Sequence, residues 1–163
     1  MTPSKTPTYP LPDPSPQLYL ASASPRRKEL LAQTGVHFAR IAAPIDETPQ
    51  AAEDPQAYVL RMAEEKAESG WQHMLDAGLT PLPVLASDTS VVLGDAILGK
   101  PLDAADAAQM LRRLSGTTHE VLTSLALRTA SGTTSTLTVS RVRFAALSDA
   151  QIAAYVASGE PMD

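Results

Sequence analysis

Leu18-Tyr19-Leu20-Ala21-Ser22-Ala23-Ser24-Pro25-Arg26-Arg27-Lys28-Glu29-Leu30-Leu31 carries a strand, a tight loop and a helix start in one short stretch. Leu18 to Ala21 is apolar and of strand length. Ser24 is a good N-cap, because its hydroxyl can accept from a free backbone N–H of the first turn. Pro25 suits the first helical position, where a missing N–H costs nothing. The helix should turn Leu30 and Leu31 inward. Arg26 and Arg27 work against the helix dipole, which favours negative charge at that end. Local stability therefore does not ask for them. An incoming anion would, since free N–H groups, the hydroxyls of Ser22 and Ser24 and two guanidinium groups can converge on phosphate. The plain alternative is a capped surface helix with two solvated arginines.

Downstream, helices and strands alternate. Val36 to Ile41 reads as a strand and Asp46-Glu47 as an acidic pair before a proline-containing loop, either solvated or offering a carboxylate to a metal. Asp54-Pro55 starts a helix with Val59, Met62, Ala63 and Lys66 on one stripe. It runs to about Ser69, and Trp71 to Ala77 extends or follows it. Lys66 is a cation on a packing face: it either snorkels to the rim or points into a site.

Pro83 to Leu93 is the most apolar run and reads as a central strand buried on both faces. Asp88 sits in its middle. A carboxylate there must be protonated, paired, satisfied by backbone N–H groups or bound to metal, because burying it alone is costly. Gly94-Asp95 turns the chain, Ala96 to Leu98 returns, and Gly99-Lys100-Pro101 closes the hairpin. Asp103 caps a third helix with Ala107, Met110, Leu111 and Leu114 inward. Thr118 to Arg128 alternates, with Val121, Thr123, Leu125 and Leu127 forming its apolar face. His119, at its start, reads as a polar strand-end residue. In Thr136 to Phe144 the apolar parity slips by one residue, which predicts a bulge near Ser140-Arg141. Ser148-Asp149 caps a last helix. The sum is one α/β domain over residues 18–163 with both parallel and antiparallel strand pairs.

Upstream, residues 1–17 hold six of the fourteen prolines and almost no large apolar groups. The segment reads as a disordered, proline-rich N-terminal tail. The whole chain of 163 residues is long enough for one domain with a real core. Its formal net charge of −5 argues against general nucleic-acid binding. It has no cysteine, so neither disulfides nor thiolate chemistry is available. No apolar run has membrane-spanning length and no signal peptide is evident, so the expected location is cytoplasmic, with no membrane partner.

Six motifs stand in order: Ser22-Ala23-Ser24-Pro25-Arg26-Arg27, Glu64-Glu65-Lys66-Ala67, Ser87-Asp88-Thr89, Gly99-Lys100-Pro101, Leu114 to Val121, and Tyr155 to Pro161. Together they resemble the Maf family of nucleoside triphosphate pyrophosphatases, over Leu18 to Asp163. The resemblance implies a Maf/inosine-triphosphatase-like fold, an elongated mixed β-sheet flanked by helices, with two lobes and a central cleft. It implies hydrolysis of a nucleoside triphosphate to the monophosphate and pyrophosphate, a house-cleaning role in nucleotide metabolism, with Mg²⁺ or Mn²⁺ as cofactor. Asp88 matches the family's proton acceptor. Arg26 and Thr89 match positions of substrate specificity and look like the branch acting on dTTP and UTP. On this reading Ser22, Ser24, Arg27, Lys66 and Lys100 bind phosphate, and Glu47 and Asp88 hold the metal. The resemblance also suggests a homodimer. The family continues past Gly-Glu-Pro-x-Asp, so it implies a chain truncated after Asp163. A nucleotide-binding regulator linked to cell division, or an inactive truncated product, are the alternatives.

Overall fold

The computed structural model describes residues 15–162. The expected proline-rich tail lies outside the described residues over positions 1–14. In chain order the elements are β1 (Leu18–Leu20), α1 (Pro25–Gln33), β2 (Phe38–Arg40), α2 (Pro55–Asp76), β3 (Val84–Leu93), β4 (Ala96–Leu98), α3 (Ala104–Leu114), β5 (Thr118–Thr129), β6 (Gly132–Arg143) and α4 (Asp149–Ala157), then a 3₁₀ turn at Glu160–Met162. The helix starts follow the capping chemistry read from the sequence. Ser24 accepts from the Arg27 N–H, Asp54 from Gln56 and Ala57, and Asp103 from Asp106. Ser148 and Gln151 form a reciprocal capping box. Trp71 to Asp76 extends α2 rather than following it. Among the described residues no helix is long and apolar enough to cross a membrane.

The six strands make one mixed sheet in the order β2-β1-β3-β5-β6, with β4 paired to β3 off this path. β1 runs parallel to β2 and β3; the remaining pairs are antiparallel. β5 lies along one edge of β3 from Val84 to Val92. The opposite edge is shared: β1 takes Val84 and Leu85, and β4 takes Val91 to Leu93. Between them the sheet splits, and Ala86 to Ser90 have no strand beside them on that edge among the described residues.

α2 packs on one face of β3, β5 and β6. Directly opposed residues in an antiparallel pair share a face, so Val84, Ala86, Asp88, Ser90 and Val92 lie with Leu122, Ser124 and Ala126 beneath the helix. Val59, Met62, Ala63, Ala67 and Met74 of α2, with Val84 and Ala86, have no measurable exposure. The Ser124 hydroxyl donates to the Val59 carbonyl at 2.6 Å. A Cβ on Gly70 would stand 3.0 Å from Val84 Cγ1, so α2 approaches the sheet too closely there for a side chain.

Four expectations are corrected. β3 is not buried on both faces: away from α2, Thr89 is exposed and Leu85, Val91 and Leu93 are half-buried. The apolar face of β5 is not the packed one: Leu125 is 44% and Leu127 37% exposed, while Leu122, Ser124 and Ala126 are buried. No bulge interrupts β6, whose register with β5 is unbroken from Thr118↔Arg143 to Thr129↔Gly132. The parity slip records a change of cover instead. Leu137 packs into the cluster under α2, whereas Val142 opposes His119 on the other face. There Phe144 meets the buried His119 ring edge-on, 4.8 Å between centroids, and shares a groove with Leu111 and Ile152. Finally, α1 buries no residue, and Leu30 is 62% exposed rather than inward. Polar contacts of Arg27 tie this helix to the sheet.

Candidate active site

Lys66 follows Met62 by one turn on the sheet-facing stripe of α2, so its stem runs over the core toward the split in the sheet. Its ammonium donates to Asp88 Oδ1 at 2.9 Å and pairs with Glu47 Oε1 at 2.8 Å. The Lys66 and Asp88 side chains are each 13% exposed, whereas Glu47 is 61% exposed. Burial pulls the Lys66 pKa down, but hydrogen bonds to Glu47 and Asp88 outweigh it and hold the ammonium above its ordinary range. The carboxylate that the apolar run of β3 could not leave alone is therefore paired. Ser90 Oγ faces its second oxygen at 3.5 Å.

A second group meets the same segment from the other side. The Arg27 guanidinium donates to the Ser87 carbonyl at 2.9 Å and reaches Thr89 Oγ1 at 3.4 Å and Ser22 Oγ at 3.5 Å. It meets the stretch of β3 beside which no strand lies on that edge among the described residues. Ser22 Oγ accepts from the Ser24 N–H, and Ser24 Oγ from the Arg27 N–H, so the loop folds onto its own helix start. Thr89 Oγ1 also lies 3.4 Å from Thr123 Oγ1. Asp88 and Thr89, adjacent in sequence, thus serve opposite sides of the sheet.

Of the residues named from sequence, the structure brings Glu47, Lys66 and Asp88 into one cluster and Ser22, Ser24, Arg27 and Thr89 into another. Arg26 is exposed in the first turn of α1. Lys100 joins neither cluster: it is exposed and makes no ion pair among the described residues. It lies two residues beyond Leu98, the last residue of β4, which pairs with Val91. Two concavities of about 390 and 400 Å³ lie elsewhere, one beside Phe144 and Ile152 and one beside His119 and Glu120. The candidate site lies where the pairing along β3 is interrupted.

Sequence reasoning missed two residues. Tyr58 donates its hydroxyl to the Glu47 carbonyl at 2.9 Å. Burial first, then the charges of Asp88 and Glu47, push its phenol above the usual range. Its spacing of 58, 62 and 66 on one helical stripe was a usable signal. Arg61 grips Glu53 with two hydrogen bonds, Nε at 2.6 Å and Nη2 at 2.7 Å, and also donates to the Thr48 carbonyl.

Glu47 and Asp88 offer hard oxygen donors from two segments to one point of positive charge, a position the Lys66 ammonium already holds. That donor chemistry fits Mg²⁺ or Mn²⁺. Among the described residues no group of three or more His, Cys, Asp or Glu could hold a metal ion.

The description "Maf-like protein" belongs to a family model that matches residues 17–163. The chain belongs to the Maf-like family. This Maf-like chain is 48% identical over 147 residues to a protein of Chromobacterium violaceum named dTTP/UTP pyrophosphatase, covering 90% of this chain and 74% of that protein. It is 52% identical over 146 residues to the dTTP/UTP pyrophosphatase of Escherichia coli O6:K15:H31, covering 90% and 72%. The solved Staphylococcus aureus Ham1 protein superposes with a TM-score of 0.53 at 13% identity, over 77% of this chain and 70% of that one. That likeness concerns the fold: a mixed sheet with helices.

Proposed function

We propose that this Maf-like chain is a nucleoside triphosphate pyrophosphatase acting on dTTP and UTP. The observation that carries the reading is Lys66, bridging Glu47 and Asp88 at the sheet split and faced across β3 by Arg27, Ser22 and Thr89. A polyanionic substrate needs local cations, and Arg26, Arg27, Lys66 and Lys100 supply them on a chain of net charge −5. The names of the relatives supply the substrate pair.

In the proposed reaction a water attacks the α-phosphorus and gives its proton to Asp88. The bond from the α-phosphorus to the bridging oxygen breaks, and its electron pair leaves on pyrophosphate. Lys66, Lys100 and Arg27 compensate the charge that gathers on the leaving group. Ser22 and Ser24 orient phosphate oxygens, and Arg26 and Thr89 read the nucleotide. A bound Mg²⁺ or Mn²⁺, held by Glu47 and Asp88, would add Lewis-acid neutralisation of the phosphates. The cytoplasm, with its nucleotide pools, is the setting this activity fits.

The test is pyrophosphate release from dTTP, UTP, CTP, ATP and GTP with Mg²⁺ and with Mn²⁺. Release from dTTP and UTP in preference to the others is expected. Nucleotide binding without pyrophosphate release would overturn the enzymatic reading in favour of a binding regulator.

A further inference from the structure

Residues 42–54 carry Glu47 to the site without belonging to a helix or strand. The mostly exposed Glu47 side chain cannot hold this segment by packing. Ile45 packs on the core cluster of Val59, Met62, Val92 and Leu122, and Ser69 donates to the Pro44 carbonyl, so the entry of the segment is held there. From Glu47 onward its polar anchors come from α2. Arg61 binds Glu53 in a fork of two short charge-assisted bonds, and the Glu53 side chain is only 9% exposed. The same guanidinium donates to the Thr48 carbonyl at 3.2 Å, one residue past Glu47, and to Glu65 Oε1 at 3.2 Å. It lies 5.6 Å from the Tyr58 ring centroid, whose hydroxyl holds the Glu47 carbonyl itself. Within the loop, Glu53 Oε2 accepts from the Gln50 N–H, and Asp46 Oδ1 from the Thr48 N–H. Arg61 is therefore the node where the return of the loop, its middle and its Tyr58 anchor meet.

We infer that Arg61 is a positioning residue for Glu47: its fork on Glu53 and its bond to the Thr48 carbonyl hold the loop so that Glu47 meets Lys66 beside Asp88. Arg61 touches none of the groups assigned to the reaction and acts through the loop backbone. The catalytic consequence rests on the pyrophosphatase reading; the placement of Glu47 does not. Lysine cannot replace the fork, because an ammonium offers no planar pair of donors.

The test compares the wild-type chain with Arg61→Met, Arg61→Lys, Glu53→Gln, Glu47→Ala and the Arg61→Met/Glu47→Ala double variant. The first readout is the rate of Lys66 acetylation by an amine-reactive reagent, followed by mass spectrometry and normalised to the exposed Lys28 and Lys100 of the same molecule. Arg61→Met and Glu47→Ala should each uncover the Lys66 amine and speed its acetylation several-fold. The double variant should be no faster than Glu47→Ala alone, and Arg61→Lys should be intermediate. Glu53→Gln serves as the second disruption, and thermal melts confirm that each variant folds. A wild-type Lys66 rate in both Arg61→Met and Glu53→Gln would overturn the inference, as would effects that multiply in the double variant. UTP turnover is followed in parallel, with about a tenfold fall in kcat/KM expected for Arg61→Met and no further fall on the Glu47→Ala background. Absence of turnover in the wild-type chain would sink the pyrophosphatase reading while the Lys66 rates still decide the placement of Glu47.

Discussion

The two faces of β3 are built from opposite materials. Toward α2 stand Val84, Ala86, Asp88, Ser90 and Val92, small or short side chains under a closely packed helix. On the other face stand Leu85, Ser87, Thr89, Val91 and Leu93; Ser87 is buried, and the other four are exposed or half-buried. The covered face carries the ion pair of Asp88 with Lys66; the open face carries Thr89 against Arg27. Tight cover restricts the side-chain geometries that fit beneath the helix. Open cover leaves room for a ligand to be read. The difference teaches that neighbouring residues of one strand can meet a packed helix and an open surface, and the proposed function assigns chemistry to the first and selectivity to the second.

The largest expected effect follows from breaking the covered face at its charged point. Asp88→Asn keeps the volume but removes the proposed proton acceptor and one of the two carboxylates paired with Lys66. Turnover of UTP should fall by about 10²- to 10⁴-fold, the usual contribution of a positioned acid–base group. Thr89→Val, on the open face, should shift the ratio of kcat/KM between pyrimidine and purine triphosphates and leave kcat for UTP far less affected. Near-normal pyrophosphate release by Asp88→Asn would remove Asp88 from its role.

Stability should divide the same way. Met62 is fully buried between Val59 and Lys66 on α2, and truncation to alanine should cost about 2–5 kcal/mol in urea unfolding. Gly70→Ala is the sharper probe. Helix propensity alone would favour alanine by about 1 kcal/mol. The new methyl, however, would stand 3.0 Å from Val84 Cγ1 and 3.2 Å from both Ala21 Cβ and Ile41 Cγ2, short side chains with little room to yield. Overpacking of this kind costs about 1–3 kcal/mol, so the net change should be destabilising. A stabilised Gly70→Ala would show that α2 sits farther from the sheet than described.

These particulars explain what could be read from sequence. The caps at Ser24, Asp54, Asp103 and Ser148 are local chemistry, and all four hold. Asp88 in an apolar run demanded a partner, and Lys66 on an apolar stripe supplied one. The packed face of β5 was not legible. Leu125 and Leu127 are more apolar than Ser124 and Ala126, but a helix that approaches closely enough to require Gly70 selects small residues beneath it. Alternation reveals two faces without saying which one a helix will cover. The Arg61–Glu53 fork joins a loop to a helix across a capped boundary, and no periodicity signals such a pair.

Acid should probe that fork with a smaller effect. The hydrogen bond from Arg61 holds the Glu53 carboxyl at about 2, below its ordinary 4.5. A depressed carboxyl contributes stability that is complete above its unfolded value and is lost as pH falls toward its folded one. The wild-type chain should therefore lose part of its stability between pH 4.5 and about 2 through this group. Glu53→Gln should flatten that portion of the profile in thermal melts taken across the window. An unchanged slope would mean that Glu53 is already protonated or unpaired in solution.

The open face should yield the smallest effect. Leu125 is 44% exposed and opposes Ser87 on β3 and Thr136 on β6. Replacing it with threonine keeps a branched side chain suited to a pleated surface and removes apolar area that is already largely hydrated. Leu125→Thr should therefore change unfolding free energy by less than about 0.5 kcal/mol, the range of ordinary surface substitutions. The measurement is urea unfolding beside Met62→Ala under identical conditions. A loss comparable to that of Met62→Ala would mean that this face is covered in solution, and the contrast between the two sides of β3 would then be one of partner rather than of burial.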